Sequence, residues 1–179
     1  MIAVGVDDDE TLDLLRRYIE RLNLPTTNLR VTTDRGVFAA WLGRRVRSSL
    51  GGAYVYLVHR GGHAILINLA RIDRTQAKAL EIVVAEELLH MRDFLDGDRR
   101  RHAKHGYDRI AHRVAALTGA SLDDVRGCLL PIKRRPFRYL YGCLRCGLRV
   151  RRRVRGTWSC GRCSPSFDPA LRLVLLEEY

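Results

Sequence analysis

Hydrophobic positions along the chain alternate between two periods. Leu12, Leu15, Ile19 and Leu22 recur at three- and four-residue steps, which predicts a helix over 11–22. Asp8 and Asp9 stand at its start, where the helix dipole favours negative charge, and Pro25 blocks its continuation. Residues 28–33 suit a short strand. Val37, Phe38, Trp41 and Leu42 return to helical spacing and predict a helix over 36–46, its end near Gly51 and Gly52. Two β-branched and aromatic runs follow, 54–59 and 64–69. Arg60-Gly61-Gly62 between them tolerates positive φ, so the pair reads as an antiparallel hairpin. His59 and His63 flank its turn and read as solvated hairpin ends.

The longest pattern covers 75–95, with Ala77, Leu80, Val83, Val84, Leu88, Met91 and Leu95 on helical spacing. Asp73 and Gln76 stand at capping-box distance before it, and Gly97 is a natural stop. A charged loop over 98–104 leads to a second helix over 106–117, which turns Ile110, Val114 and Leu117 inward and closes at Gly119. Ser121 and Asp124 cap a short helix running to about Leu130. Pro131 and Pro136 flank Lys133-Arg134-Arg135, a linker. The divisions are therefore an α+β domain over 1–130, a basic linker over 131–137, a cysteine module over 138–167 and a C-terminal tail over 168–179. No apolar run of about 18 residues is present, so no membrane span is expected. Residues 1–10 run into four consecutive acids, unlike a secretory signal, and a cytoplasmic location is expected.

A chain of 179 residues with 46% hydrophobic content can build one domain and a small appendage. Its net charge of +12 is unevenly placed. Residues 125–167 hold twelve of the 32 Lys and Arg and no acid, leaving twenty basic and twenty acidic residues elsewhere. The excess therefore sits in the C-terminal segment, where it would attract a polyanion such as nucleic acid.

That segment also holds four of the five cysteines; Cys128, in apolar company, reads as a core residue. Cys143-x2-Cys146 and Cys160-x2-Cys163 lie thirteen residues apart, a spacing that presents four thiolates to one structural Zn²⁺. Gly147 and Gly161 suit the knuckle turns, with strands at 148–150 and 156–159 between. Arg149, Arg151, Arg152, Arg153 and Arg155 lie between the pairs, with Trp158 available for base stacking. Four thiolates on Zn²⁺ remove only about two charges, so the module stays cationic. Either the module staples the C-terminus or it binds nucleic acid.

The remaining chemistry is in Ala85-Glu86-Glu87-Leu88-Leu89-His90. In a helix Glu86 and His90 share a face, and Glu87 lies about 100° round the axis. The stretch is H-E-x-x-H with Glu86 at the first position. Glu87-x-x-His90 is also half of a di-iron carboxylate motif, but no second E-x-x-H follows. Fourteen residues separate His90 from His105-Gly106. A hairpin before the helix, Glu87-Leu88-Leu89-His90, His105-Gly106, the helix to Leu117-Thr118-Gly119 and the four cysteines together resemble the SprT-like metalloproteases, over roughly 29–163. The resemblance implies a zincin-like helix pair packed on a small antiparallel sheet, followed by a C-terminal zinc ribbon. It implies Glu87 as general base and His90 and His105 as metal ligands, with Glu86 in the first ligand position. His102 and His112 lie in the right region to substitute. The implied activity is a metal-dependent peptidase acting on DNA-associated proteins, with zinc or another divalent metal at the variant site. The alternative is a catalytically inactive zinc-ribbon protein that binds nucleic acid.

Overall fold

A computed structural model of the chain describes residues 2–3, 5–98, 108–132 and 136–179. It divides into two compact units, Met1–Pro131 and Ile132–Tyr179. The first contains β1 (Ile2–Ala3), α1 (Asp9–Arg21), β2 (Leu29–Thr32), α2 (Arg35–Leu42), β3 (Gly52–Leu57), β4 (Gly62–Ile67), α3 (Ala79–Leu95), α4 (Arg109–Thr118) and α5 (Leu122–Gly127).

The strands form one sheet in the order β1-β2-β4-β3. The β3–β4 hairpin is antiparallel as expected, but β2 runs parallel to both β1 and β4. The sheet is therefore mixed, not the small antiparallel sheet expected. Parallel neighbours need a crossover, and α1 supplies one between β1 and β2. Strand alternation puts Leu29, Val31, Ile65 and Ile67 into a core shared with α1, α3, α4 and α5. Ala64, Leu66 and Leu57 face the other way, against Phe38 of α2. The sheet is thus covered by helices on both faces.

α3 is the central helix and is buried on most sides, which is why its sequence shows a nearly continuous apolar run. It starts at Ala79, later than expected. Asp73 does not cap it: its carboxylate accepts from Thr75 N at 3.1 Å, closing a turn, while Gln76 Nε2 donates to Gly127 O at 2.7 Å. α2 stops at Leu42 because Gly43 adopts φ 65°; Val46, expected to be helical, packs from the following loop. α4 begins at Arg109 under an Asp108 cap, and α5 has the capping box expected of Ser121 and Asp124. α5 ends at Gly127, not near 130, because Leu129 and Leu130 pair with Ile72 and Arg71 instead.

The second unit is a three-stranded antiparallel sheet of β5 (Tyr139–Gly142), β6 (Arg149–Arg152) and β7 (Val174–Glu178), in the order β6-β5-β7. The expected C-terminal tail thus provides β7. The strand expected over 156–159 reduces to one bridge, Ser159 to Arg172. Tyr141, Cys143, Cys160 and Leu173 form a small core of its own. The architecture is α+β, and no helix among the described residues is long and apolar enough to cross a membrane.

Candidate functional site

Glu86, Glu87 and His90 project from the middle of α3, where burial on both sides holds the helix in register. Glu87 is only 5% exposed, whereas Glu86 and His90 are half-buried. The Glu87 side chain lies against the backbone of Gly52, the first residue of β3: a Cβ there would sit 2.7 Å from Glu87 Cγ and closer still to Oε1. Only glycine leaves that space. The buried carboxylate is therefore set against the outermost strand of the sheet.

His105, the expected third ligand, and His102 lie outside the described residues, while His112 is exposed on α4. Two arginines near the site are engaged by other carboxylates. Arg92 pairs with Asp96 at 2.6 Å, and Arg109 pairs with Asp93 at 2.9 Å and with Asp98.

One turn beyond His90, Phe94 stacks on Tyr56 with ring centroids 4.7 Å apart and meets Tyr54 edge-on at 5.9 Å. His63 completes this cluster, its Nδ1 3.0 Å from the Tyr54 hydroxyl. His63 is buried, not solvated as expected; His59 is exposed. The strand period carried the signal, because His63 stands on the face of Ile65 and Ile67. Burial holds its pKa below 6.5.

In the C-terminal unit the four cysteines converge, with potential ligand atoms all within 4.8 Å of one another. Cys143 Sγ lies 3.9 Å from Cys163 Sγ, and Cys146 Sγ lies 3.6 Å from Cys160 Sγ. Zn–S bonds of about 2.3 Å in a tetrahedron put the sulfurs about 3.8 Å apart, so the donor set fits zinc. Each knuckle is a hydrogen-bonded turn: Gly147 N donates to Cys143 O at 2.9 Å and Ser164 N to Cys160 O at 3.0 Å. Gly147 adopts φ 69°, but Gly161 has no left-handed backbone, so only the first knuckle requires glycine. Burial raises the Cys160 thiol, yet the Cys163 and Arg162 amides and neighbouring thiols bring it down to about 7. Hydrogen bonding to Cys146, with burial, pushes Cys163 up to about 12. Cys128 is fully buried and donates to Val125 O at 3.3 Å, a core role as expected.

The arginines between the knuckles do not share one face. Strand alternation leaves Arg149 and Arg151 exposed on one side of β6, with Glu177 in the same cross-strand row. Arg152 turns to the other side and lies over Trp158, 4.5 Å from the ring centroid. Arg153 lies over Phe137 at 3.9 Å, and Arg155 is exposed. Trp158 is half-buried against the cysteine core with Arg152 over its ring, so it braces the unit and is not an open stacking platform. Comparison with known proteins adds no relative: no family model, no curated protein and no solved structure matches the chain.

Proposed function

We propose that the N-terminal unit is a SprT-like metal-dependent peptidase and that the C-terminal unit is a zinc ribbon that binds nucleic acid, so that the substrates are DNA-associated proteins. The observation that carries this reading is the Glu87 carboxylate, buried on α3 against Gly52 of the edge strand, with Glu86 and His90 on the same side of the helix. Glu86 and His90, one turn apart, and His105 would hold the ion, a donor set of two His and one carboxylate that suits zinc or iron(II). A divalent ion bound there supplies Lewis acidity toward a peptide carbonyl and its attacking water. Glu87 takes the proton from that water at its carboxylate and passes it to the leaving amine nitrogen. The outer edge of β3 offers backbone donors and acceptors that would hold a substrate segment extended beside Glu87.

A second reading has its own support. Among the described residues only Cys143, Cys146, Cys160 and Cys163 gather within reach of one metal ion. On that reading the protein binds nucleic acid through its basic C-terminal unit, and the α3 face is a remnant.

Metal content and cleavage separate the two. The peptidase reading expects two ions per chain and cleavage of a protein crosslinked to an oligonucleotide. Glu87→Gln should keep both ions and lower the cleavage rate by about 10²- to 10⁴-fold. Glu86→Ala should lose one ion, and Glu86→His should restore it. One ion per chain, unchanged in Glu86→Ala, with no cleavage, would leave the second reading.

A further inference from the structure

Residues 35–72 hold six arginines and no acidic residue, a second basic stretch that whole-chain counting conceals. In the fold it lines a surface on the α2 side of the sheet. Arg35, Arg45, Arg47, Ser48 and Ser49 border a cleft of about 660 Å³. A neighbouring cleft of about 460 Å³ shares Arg35, Gly36 and Ser48 with it and adds Arg71. The two therefore adjoin.

These arginines are not neutralised by carboxylates. Arg16, Arg17, Arg74 and Arg92 all pair with carboxylates, but among the described residues none of Arg35, Arg45, Arg47 or Arg71 forms an ion pair. Arg71 donates to Leu130 O, and its Nε has no acceptor. The one carboxylate on either lining, Asp34, is occupied by the Gly36 and Val37 amides of the α2 N-terminus.

The arginine loop is also held in place. Val46 packs inward against the Phe38 and Leu66 cluster, which leaves Arg45 and Arg47 on either side of it exposed. At the loop's far end, Asn68 Nδ2 donates to Leu50 O at 2.7 Å and Asn68 N to Gly51 O at 2.8 Å. The basic side chains thus project from an anchored frame.

We infer that this double cleft of the N-terminal unit binds the phosphodiester backbone of nucleic acid through Arg35, Arg45, Arg47 and Arg71. Guanidinium forks match phosphate oxygens, and Ser48 and Ser49 add hydroxyl donors of the kind that position a backbone without reading its sequence. Two adjoining clefts exceed the room a single inorganic phosphate fills, which favours a chain of phosphates. A lipid surface would require large apolar side chains to insert, and the lining of the larger cleft offers only Ala39 and the half-buried Val46. The inference does not depend on the peptidase reading or on the C-terminal arginines.

Binding of fluorescent single-stranded and duplex oligonucleotides to the full chain, across a salt series, tests it. Arg45→Gln with Arg47→Gln should weaken binding about tenfold. It should also lower the slope of log K against log salt by about 0.7 per lost contact on a single strand, or 0.9 on duplex. Thermal stability and zinc content should not change. Arg149→Gln with Arg151→Gln reports on the other unit, and the two effects should add. The control Arg16→Gln, a residue already paired with Asp13, should leave affinity unchanged. Unchanged affinity and slope in the Arg45/Arg47 variant would overturn the inference. So would an equal loss in the Arg16 control, which would reduce the effect to net charge. Two further outcomes would also overturn it: full competition by millimolar inorganic phosphate, or a loss confined to binding of phosphatidylglycerol vesicles.

Discussion

His63 sits near the start of β4 with its ring among Tyr54, Tyr56 and Phe94. Its position beside a glycine turn suggests solvent, but the pleat of the strand decides otherwise. Every second residue from Ile67 back through Ile65 faces α3, and His63 is the next. The same pleat puts Gly52 opposite Ile67, on the side where Glu87 descends. The sequence names Glu87 as chemistry but does not name its partner, because nothing local says that a glycine 35 positions earlier must make room for it. Burial of His63 has a consequence for acid stability. Its folded pKa lies below the ordinary 6.5, so the unfolded chain binds more protons just below that value. The stability it contributes is complete above about pH 6.5 and is lost as pH falls through the folded pKa. His63→Phe should therefore gain on the wild type as pH is lowered. Urea midpoints at about pH 7.5 and about pH 5.5 check this, with the difference between the two proteins shifting in favour of the variant at the lower pH. A difference that stays constant would mean that His63 is not held neutral.

At the level of elements, α1, α3, α4 and the hairpin were legible because each carries a clear period and a stop signal. Asp8 caps α1 by accepting from Thr11 N at 2.9 Å, and Gly97 and Gly119 end their segments with positive φ. Boundaries failed where side chains found distant partners, as when Gln76 turned to Gly127. β7 was missed because a five-residue strand of three apolar residues and two acids is too short to show a period of its own; only pairing with β5 defines it. The parallel pairing of β2 is likewise set by contacts distant in sequence. The junction between α3 and α4 was not legible either. Asp93, 5% exposed, accepts from Arg109 at 2.9 Å and from Arg113, tying the helix of Glu87 and His90 to the next. Breaking a buried pair costs about 3–5 kcal/mol, and the partly exposed arginines reduce this. Asp93→Asn should therefore destabilise the N-terminal unit by about 2 kcal/mol in urea unfolding. The amides of α4 should lose hydrogen-exchange protection before those of β2 and β4. Equal loss across the unit would assign Asp93 a general role and not that of a latch.

At the scale of the whole molecule, each unit is held together differently. The N-terminal unit has a large core on one face of its sheet and a second on the other. Among the described residues of the C-terminal unit, Leu140, Tyr141, Leu173 and two of the cysteines are the buried hydrophobic side chains, too little apolar surface to fold unaided at this size. Its charge and cysteine spacing made that division visible in the sequence, because neither depends on distant pairing. Metal should supply the missing stability. Each unit also carries one of the two tryptophans, Trp41 in the α2 cluster and Trp158 in the cysteine core. A Trp41→Phe background therefore reports on the C-terminal unit alone. Adding a strong chelator to that protein should shift Trp158 emission to the red and open the amides of β5, β6 and β7 to exchange, while the exchange of α1 and α3 stays as it was. Returning zinc to one equivalent should reverse both changes, and Cys146→Ser should show the chelated behaviour without chelator. A Trp158 signal indifferent to chelator would remove the metal from the account of this unit's folding.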